Sequence, residues 1–477
     1  MVFSSAIFLF IFLPAVFLLY RLCRSIRSRN ILLAAASIVF YAFGQLIYVP
    51  LFLLSVIINY VSGRLIMNGG KGKAVLAVSV ILNLAILCVF KYTDFLIANL
   101  NFLLSLNISA PGIELPIGIS FFTFQGMSYV IDVYRDKSSG TKSFLKLLLY
   151  ISFFPQLIAG PIVKYHDIAP QLDSRLCTTE LTEAGILRFI KGLAKKLLIA
   201  NTAGYIADLV FGDMLSGAYG AYDFRVMWLG AICYTLQIYY DFSGYSDMAI
   251  GMAKMFGFAI NENFLYPYGS CSLKEFWRKW HISLSTWFKE YLYIPLGGNR
   301  KGRVRTVINR LTVFLLTGLW HGANWTFVIW GLGHGILSSL EDLGVIPTKK
   351  LGQSRAGRIV CKIYTLLAVV LLFVIFRADS ISSGFKFIGA MFSFRIAESG
   401  SYLLGRLLSP ASVVILVLAI ILSGNLAPRL TQRLSASGAD QGGAYIAACR
   451  VCSIVLLVLS ILSLSGGGFN PFIYFQF

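Results

Sequence analysis

Long apolar runs, separated by short polar segments, occupy nearly the whole of this chain. A helix needs about 20 apolar residues to cross the hydrocarbon core of a bilayer. Several runs are shorter than this or are interrupted by Gly and Pro, so the pattern predicts roughly 11 to 14 transmembrane or re-entrant helices. The runs lie near 3–20, 31–47, 48–66, 74–91, 93–106, 116–133, 144–163, 184–211, 224–260, 307–320, 324–340, 359–377, 384–394, 411–427 and 445–465.

The expected fold class is therefore an all-α polytopic integral membrane protein. No polar segment between the runs is long enough to form a soluble domain, so residues 1–477 are expected to form a single membrane domain. The composition agrees, because only 13% of the residues are charged and 57% are hydrophobic, whereas a soluble domain has about 25% charged residues. Any protein that acts with this chain outside the membrane has to be a separate polypeptide.

The formal net charge of +20 would also suit a nucleic-acid-binding protein, but its distribution argues against that class. The basic residues cluster in short loops between apolar runs, as the positive-inside rule requires. No charge precedes the first run, and arginines follow it, so we expect the N-terminus outside. That run lacks a basic leader and a cleavage site, so it is expected to stay as a span. The clusters are Arg21, Arg24, Arg27 and Arg29; Arg64, Lys71 and Lys73; Arg300, Lys301, Arg303 and Arg305; Lys349, Lys350, Arg355 and Arg358.

The eight cysteines are scattered, and Cys449 and Cys452 form a C-x-x-C pair within an apolar run. This pair has no second pair or histidine nearby, so two small packing residues are favoured over a zinc or redox site. The sequence predicts no disulfide framework and no metal site.

One of the four histidines, His321, lies in the middle of an apolar run. An ionisable group at membrane depth is costly and indicates a functional site, although a histidine that is hydrogen-bonded between helices would also explain it. His281 repeats the same Trp-His dipeptide. His334 follows His321 by an angle that would put it about 140° away on a continuous helix, so it is not expected in the same site.

Polar residues interrupt two further runs. Asp241 and Asp247 lie in one of them, and Lys254 shares the face of Asp247 but is about 10 Å away along a helix. Gln125 lies in the other. We expect these three polar positions, Asp241, Asp247 and Gln125, to line a hydrated path, while interhelical hydrogen bonding is the structural alternative.

Charged and aromatic residues alternate between Trp277 and Arg300. Such a segment suits a helix at the level of the lipid headgroups. It would equally suit the mouth of a site for an anionic substrate, in which Arg278, Lys279 and Arg300 bind phosphate.

Six sequence blocks follow one another along the chain. They are LPIGISFFTFQ at 115–125, LIAGPI at 157–162, DFSGYSD at 241–247, WHISLS at 280–285, YLYIPLGGN at 291–299 and LWHGA at 319–323. With these blocks in this order, the chain resembles the membrane-bound O-acyltransferases, most of all the bacterial branch that O-acetylates polysaccharides, and more distantly the branch that transfers D-alanine. The strongest motifs lie within 115–335.

The resemblance implies that His321 is the catalytic histidine and that His281 is its companion, in a central tunnel or funnel. It also implies an acyl-CoA donor on the cytoplasmic side, with acetyl-CoA favoured, and no bound cofactor. The final acceptor would be a cell-surface polysaccharide, reached directly or through a separate extracytoplasmic protein, and the chain would lie in the bacterial cytoplasmic membrane. Ser283 and Asn324, close to the two histidines in sequence, are further candidates for the tunnel lining.

A neutral imidazole can take a proton from a hydroxyl group that attacks a thioester, and this chemistry fits His321. A covalent serine is disfavoured because no Gly-x-Ser-x-Gly elbow is present. Three other functions stay open: acyl transfer such as D-alanylation of a teichoic acid-like polymer, transport of a lipid-linked glycan, and a scaffold without catalysis.

Overall fold

A computed structural model describes residues 1–216, 223–436 and 442–466, and within these ranges the chain is helical without β-strands. This agrees with the all-α class predicted from the sequence. The helices form two compact units. Unit 1 comprises Met1–Phe189 and Tyr245–Glu262, and unit 2 comprises Ile190–Gly244 and Asn263–Phe477. Two of the boundaries between the units therefore fall inside helices.

Within the described residues, unit 1 contains eight complete α-helices, the greater part of a ninth and the end of the long helix Phe224–Met255. A π-helical turn at Phe8–Phe12 and 3-10 turns at Leu46–Tyr48 and Lys137–Ser139 adjoin them. Ser25 caps α2 and exchanges hydrogen bonds with Ser28 in a capping box. The helices are α1 (Leu13–Leu22), α2 (Ile26–Gln45), α3 (Val49–Met67), α4 (Gly72–Leu104), α5 (Ile119–Arg135), α6 (Phe144–Ser152), α7 (Phe154–Leu157), α8 (Tyr165–Asp173) and α9 (Thr179–Ala194).

Unit 2 begins within α9 and contains the remaining helices of the described chain. They are α10 (Asn201–Ser216), α11 (Phe224–Met255), α12 (Leu273–Lys279), α13 (Ile282–Phe288), α14 (Gly302–His321), α15 (Trp325–Leu343), α16 (Thr348–Leu351), α17 (Arg355–Arg377), α18 (Ile381–Met391), α19 (Glu398–Leu407), α20 (Pro410–Ser423), α21 (Leu426–Ala436) and α22 (Gly443–Ser465). Two π-helical turns, Lys195–Ala200 and Lys289–Tyr293, and a 3-10 turn, Pro267–Gly269, lie between them.

Four helical segments of the described chain are long and apolar enough to cross a membrane, and a fifth is added if a pair bent by 80°, Gly400–Leu407 with Pro410–Ser423, is one span. The four are Ile26–Met67, Gly72–Leu104, Arg355–Arg377 and Gly443–Ser465. The prediction of 11 to 14 segments also counted shorter and more polar helices. The chain is a multi-pass membrane protein, and the tunnel stays a prediction.

Helices α14 and α15 form a hairpin in which two glycines allow close approach. A Cβ atom added at Gly318 would lie 2.3 Å from the carbonyl oxygen of Phe327, and one added at Gly331 would lie 2.3 Å from that of Phe314. Any larger residue would therefore force the helices apart. This hairpin belongs to an extensive aromatic and aliphatic core of unit 2 and holds the end of α14 in place.

Candidate active site

His321 is the last residue of α14, and its side chain is buried at the tip of the α14–α15 hairpin. The chain leaves the helix at Gly322, and Asn324 caps the start of α15 by accepting a hydrogen bond of 3.1 Å from the backbone N–H of Thr326. Because α14 ends at His321, the polar imidazole ring does not have to fit into the regular packing between two apolar helices.

Three aromatic rings surround the His321 imidazole edge to face. The ring centroids of Trp320, Trp330 and Phe376 lie 5.0, 5.1 and 5.3 Å from that of His321. The imidazole borders a narrow cavity of about 10 Å³, which is close to the smallest space that holds one water molecule. The other lining residues are Ile238, Phe242, Trp280, Trp330, Phe373 and Phe376.

His281 is fully buried and adopts a left-handed backbone conformation, with φ 44° and ψ 54°, at the start of α13. This conformation is uncommon for a residue other than glycine, and such outliers often occur at functional sites. Nδ1 of His281 lies 3.4 Å from Oδ1 of Asn263. Nε2 of His281 has no hydrogen-bond partner within the part of the chain that the structure describes.

Asn263 stabilises the backbone turn at His281 by accepting hydrogen bonds from the residues that follow it. Its Oδ1 accepts hydrogen bonds from the backbone N–H of Ser283 at 3.1 Å and from the Ser283 hydroxyl at 2.9 Å. Its backbone carbonyl accepts from the N–H of Ile282 at 3.0 Å. The sequence around Asn263 does not distinguish it from any other polar residue of a loop, so its role could not be predicted from the sequence.

The two candidate catalytic histidines contact the same indole ring. The Trp320 ring centroid lies 5.8 Å from that of His281 and 5.0 Å from that of His321. Phe242, which lines the cavity beside His321, packs its ring 4.6 Å from His281. The two imidazoles therefore both lie against one aromatic wall, to which Trp320 and Phe242 belong.

His334 lies on a different helix from His321, contrary to the expectation from the sequence. The angular separation of about 140° assumed one continuous helix, and the helix ends at His321, so His334 belongs to the neighbouring helix α15. The Trp330 ring lies between the two imidazoles, 5.1 Å from His321 and 5.2 Å from His334. His334 is buried among aromatic rings beside the site.

Both predicted acidic residues form ion pairs with cations that the sequence analysis did not single out. In unit 2, Asp241 pairs with Lys196 at 2.7 Å, and both side chains are buried. In unit 1, Asp247 pairs with Arg188 at 2.6 Å, and Arg188 also binds Glu262. These partners lie on other segments of the chain, which a spacing argument within one helix does not reach.

The remaining candidates for the tunnel lining, Ser283, Asn324 and Gln125, are all located by the structure, and whether they line a tunnel stays a prediction. Ser283 donates to Asn263, as described above, and both amide atoms of Asn324 are bonded, since its Nδ2 donates to the carbonyl oxygen of Asp379 at 3.0 Å. Gln125 is fully buried in unit 1, where its side-chain amide has no hydrogen-bond partner among the described residues.

A second cavity in unit 2, open and about 870 Å³ in volume, is strongly basic. Of the three cations expected to bind phosphate, Arg300 lines this cavity and Arg278 and Lys279 do not. Arg278 is exposed, and Lys279 pairs with Glu275 at 2.6 Å. One acidic residue of the lining, Asp342, binds two of the lining cations, Lys274 at 2.9 Å and Arg310. The lining cations are Lys274, Lys289, Arg300, Arg303 and Arg310.

We found no group of three or more His, Cys, Asp or Glu side chains that could hold a metal ion in the described ranges.

The chain is similar to known acyltransferases. The family model of the membrane-bound O-acyltransferases matches residues 33–377. The probable alginate O-acetylase AlgI of Pseudomonas putida is 40% identical over 100% of both chains. The peptidoglycan O-acetyltransferase of Helicobacter pylori is 35% identical over 82% of this chain and 80% of its own. The teichoic acid D-alanyltransferase of Bacillus subtilis is more distant, at 27% over 54% of this chain and 65% of its own. The chain belongs to the membrane-bound O-acyltransferase family, and it is an acyltransferase.

Proposed function

We propose that this protein is an O-acetyltransferase that moves an acetyl group from acetyl-CoA toward hydroxyl groups of a cell-surface polysaccharide of the alginate or peptidoglycan type. The observation that carries the proposal is the position of His321, at a helix end beside a small apolar cavity and on the same aromatic wall as His281. The alginate O-acetylase and the peptidoglycan O-acetyltransferase described above cover most of this chain, and their names support an acetyl group and a polysaccharide acceptor.

His321 would act as the general base. A neutral imidazole takes the proton of the acceptor hydroxyl while its oxygen attacks the thioester carbonyl, and the proton then goes to the leaving thiolate of CoA. His281 would orient the acceptor by accepting a hydrogen bond from its hydroxyl group at Nε2, because Nδ1 faces Oδ1 of Asn263 and therefore carries the proton of the neutral ring.

The basic cavity would bind the phosphates of the donor. Its volume of about 870 Å³ is within the range of about 300–1,000 Å³ that ligand pockets span. Arginine forks and lysine ammonium groups are the side chains that bind phosphate best. Asp342 neutralises part of the charge at one end and leaves Lys289, Arg300 and Arg303 to face the ligand.

The small cavity beside His321 supports acetyl as the acyl group. A cavity of about 10 Å³ with large side chains on every side accepts a methyl group more readily than a longer acyl chain. Acyl length would be limited by Phe373, Phe376 and Trp330, which are all buried.

We place the protein in the bacterial cytoplasmic membrane with its N-terminus outside, as one membrane domain with the donor bound on the cytoplasmic side. The basic clusters between the helices support this orientation through the positive-inside rule. The described segments between helices are short, so a separate extracytoplasmic protein would carry the acetyl group to the polysaccharide.

The test uses purified full-length protein, labelled acetyl-CoA and a hydroxyl acceptor. Acetyl transfer by the wild-type chain that His321→Ala abolishes supports the proposal, and His166→Ala, a half-exposed histidine on α8, serves as the control. Unchanged transfer in folded His321→Ala would refute the site. Movement of a lipid-linked glycan without acyl transfer would favour a transporter, and transfer of D-alanine in place of acetyl would favour the teichoic acid-like reaction.

A further inference from the structure

Another open basic pocket of unit 2 shares no lining residue with the two cavities described above. It has a volume of about 780 Å³ and lies between the first turns of α17, the end of α20 and the start of α21. Four cations line it, Arg355, Arg358, Lys362 and Arg429, and its lining contains no acidic residue. We refer to it as the α17 pocket.

The cations of the α17 pocket are not neutralised by ion pairs. None of the four forms a salt bridge within the ranges that the structure describes, whereas two cations of the larger basic cavity are paired with Asp342. The Arg358 guanidinium donates weakly to two carbonyl oxygens, those of Gly352 at 3.4 Å and Gln353 at 3.5 Å. Such a concentration of positive charge attracts an anion.

Apolar side chains stand beside these cations. Ile359 is 62% exposed and Ile420 is 53% exposed, and both line the pocket. Leu426, at the start of α21, is also an exposed lining residue. Inorganic phosphate gains nothing from these groups, but a ligand that joins a phosphate to an acyl chain can satisfy both parts of the pocket.

The position of the pocket in the fold agrees with this ligand. Helix α17 is one of the candidate membrane spans, and the pocket lies at its basic end, which the positive-inside rule assigns to the cytoplasmic face. Helix α21 has charged and apolar side chains on different faces, as helices at the membrane surface do, with Arg429 and Arg433 on it. Anionic phospholipids are the abundant phosphate-bearing molecules in that layer.

We propose that the α17 pocket is a binding site for the headgroup of an anionic phospholipid, whose phosphate is held by Arg355, Arg358, Lys362 and Arg429 and whose acyl chain lies along the exposed isoleucines. This site is separate from the proposed donor cavity, and the proposal does not depend on the acyl transfer reaction.

The test measures lipid binding to the purified full-length protein by native mass spectrometry, with phosphatidylglycerol and phosphatidylcholine as probes. We expect phosphatidylglycerol to bind the wild-type chain preferentially. The variant Arg355→Gln/Lys362→Gln/Arg429→Gln removes three cations whose side chains make no hydrogen bond in the described chain, and we expect it to bind phosphatidylglycerol at least about tenfold more weakly. Binding of phosphatidylglycerol as tight as in the wild type would overturn the proposal.

A matched control removes the same charge outside the pocket. Lys349→Gln/Lys350→Gln/Arg433→Gln changes three exposed residues of α16 and α21 that do not line it, and we expect wild-type binding. An equal loss in this control would show general attraction to a basic surface and not a site. Displacement of the lipid by equimolar inorganic phosphate or CoA would show a site for free anions, and either result refutes the proposal.

Discussion

Replacing Phe373 with alanine should change which acyl group the protein transfers. The side chain is 1% exposed and lines the cavity of about 10 Å³ beside His321. It is not one of the three rings packed directly on that imidazole, so the change enlarges the cavity while it leaves the His321 contacts in place. Loss of a phenyl ring opens space of the order of 100 Å³, comparable with engineered cavities that admit benzene.

The size of the effect follows from the extra methylene groups that the enlarged cavity could bury. A butyryl group has two more methylenes than an acetyl group, and each gains about 0.8 kcal/mol on burial, about 1.6 kcal/mol together. Each 1.36 kcal/mol corresponds to about a tenfold change in rate. We therefore expect the ratio of kcat/KM for butyryl-CoA to that for acetyl-CoA to rise about tenfold in Phe373→Ala.

The assay compares both donors with the purified wild-type and variant chains. Phe387→Ala is the control, because Phe387 is equally buried in the core of unit 2, stacked on Phe211 at 4.3 Å, but does not line the cavity. Both variants should lose about 3–5 kcal/mol of stability, so both are measured at a temperature where each is folded. An unchanged donor ratio in Phe373→Ala, or an equal shift in Phe387→Ala, would refute the reasoning.

Three further predictions concern polar contacts. Asn263→Ala removes the acceptor that holds the His281 turn, so kcat for acetyl transfer should fall about tenfold or more, with KM for the donor little changed. Lys196→Met removes the cation of the buried ion pair with Asp241 and should lower the free energy of unfolding by about 3–5 kcal/mol, most of which Lys196→Met/Asp241→Leu should restore, as thermal unfolding in detergent would measure. At the start of α11, hydrogen bonds from Arg225 hold the pKa of the Asp223 carboxyl well below its usual range, despite burial of that carboxyl. Because folding lowers this pKa, the contact contributes fully above the unfolded value of about 3.9 and is lost as the pH falls further, so the melting temperature should show an acid-dependent decrease that Asp223→Asn lacks.

Each of these predictions has a result that contradicts it. Wild-type kcat in Asn263→Ala would show that His281 needs no support from this residue. A double variant at positions 196 and 241 that is no more stable than Lys196→Met would mean that the lysine contributes through packing and not through its charge. An identical acid-dependent decrease in Asp223→Asn would assign it to other carboxyl groups.

The sequence predicted the class of fold correctly and indicated His281 and His321 as candidate site residues. It predicted few of the contacts that position these two side chains. Apolar runs and basic loops indicate membrane helices without knowledge of packing, because lipid imposes the same requirement on every span. Asn263 and Lys196 could not be found in this way, since they reach His281 and Asp241 through the tertiary fold. Spacing within one helix identified only residues of that helix.

The sequence does contain a signal that His334 lies on a different helix from His321. Gly322 follows His321 directly, and Asn324 comes two residues later, a combination typical of a helix end followed by a new N-cap. Reading these residues as a stop and a start would have placed His334 on a second, antiparallel helix. The basic cavity draws its cations from positions between 274 and 310 that are not consecutive, so the sequence indicated only one of them, Arg300, as a candidate for phosphate binding.

The left-handed backbone at His281 has a consequence for how this position can vary. Histidine, asparagine and aspartate enter that conformation several times more readily than other side chains, and glycine enters it freely. Alanine at 281 would therefore combine a backbone penalty with loss of the imidazole, whereas asparagine would keep the turn and remove only the ring. The variant His281→Asn therefore separates the role of the imidazole ring from that of the backbone turn, which His281→Ala would change together.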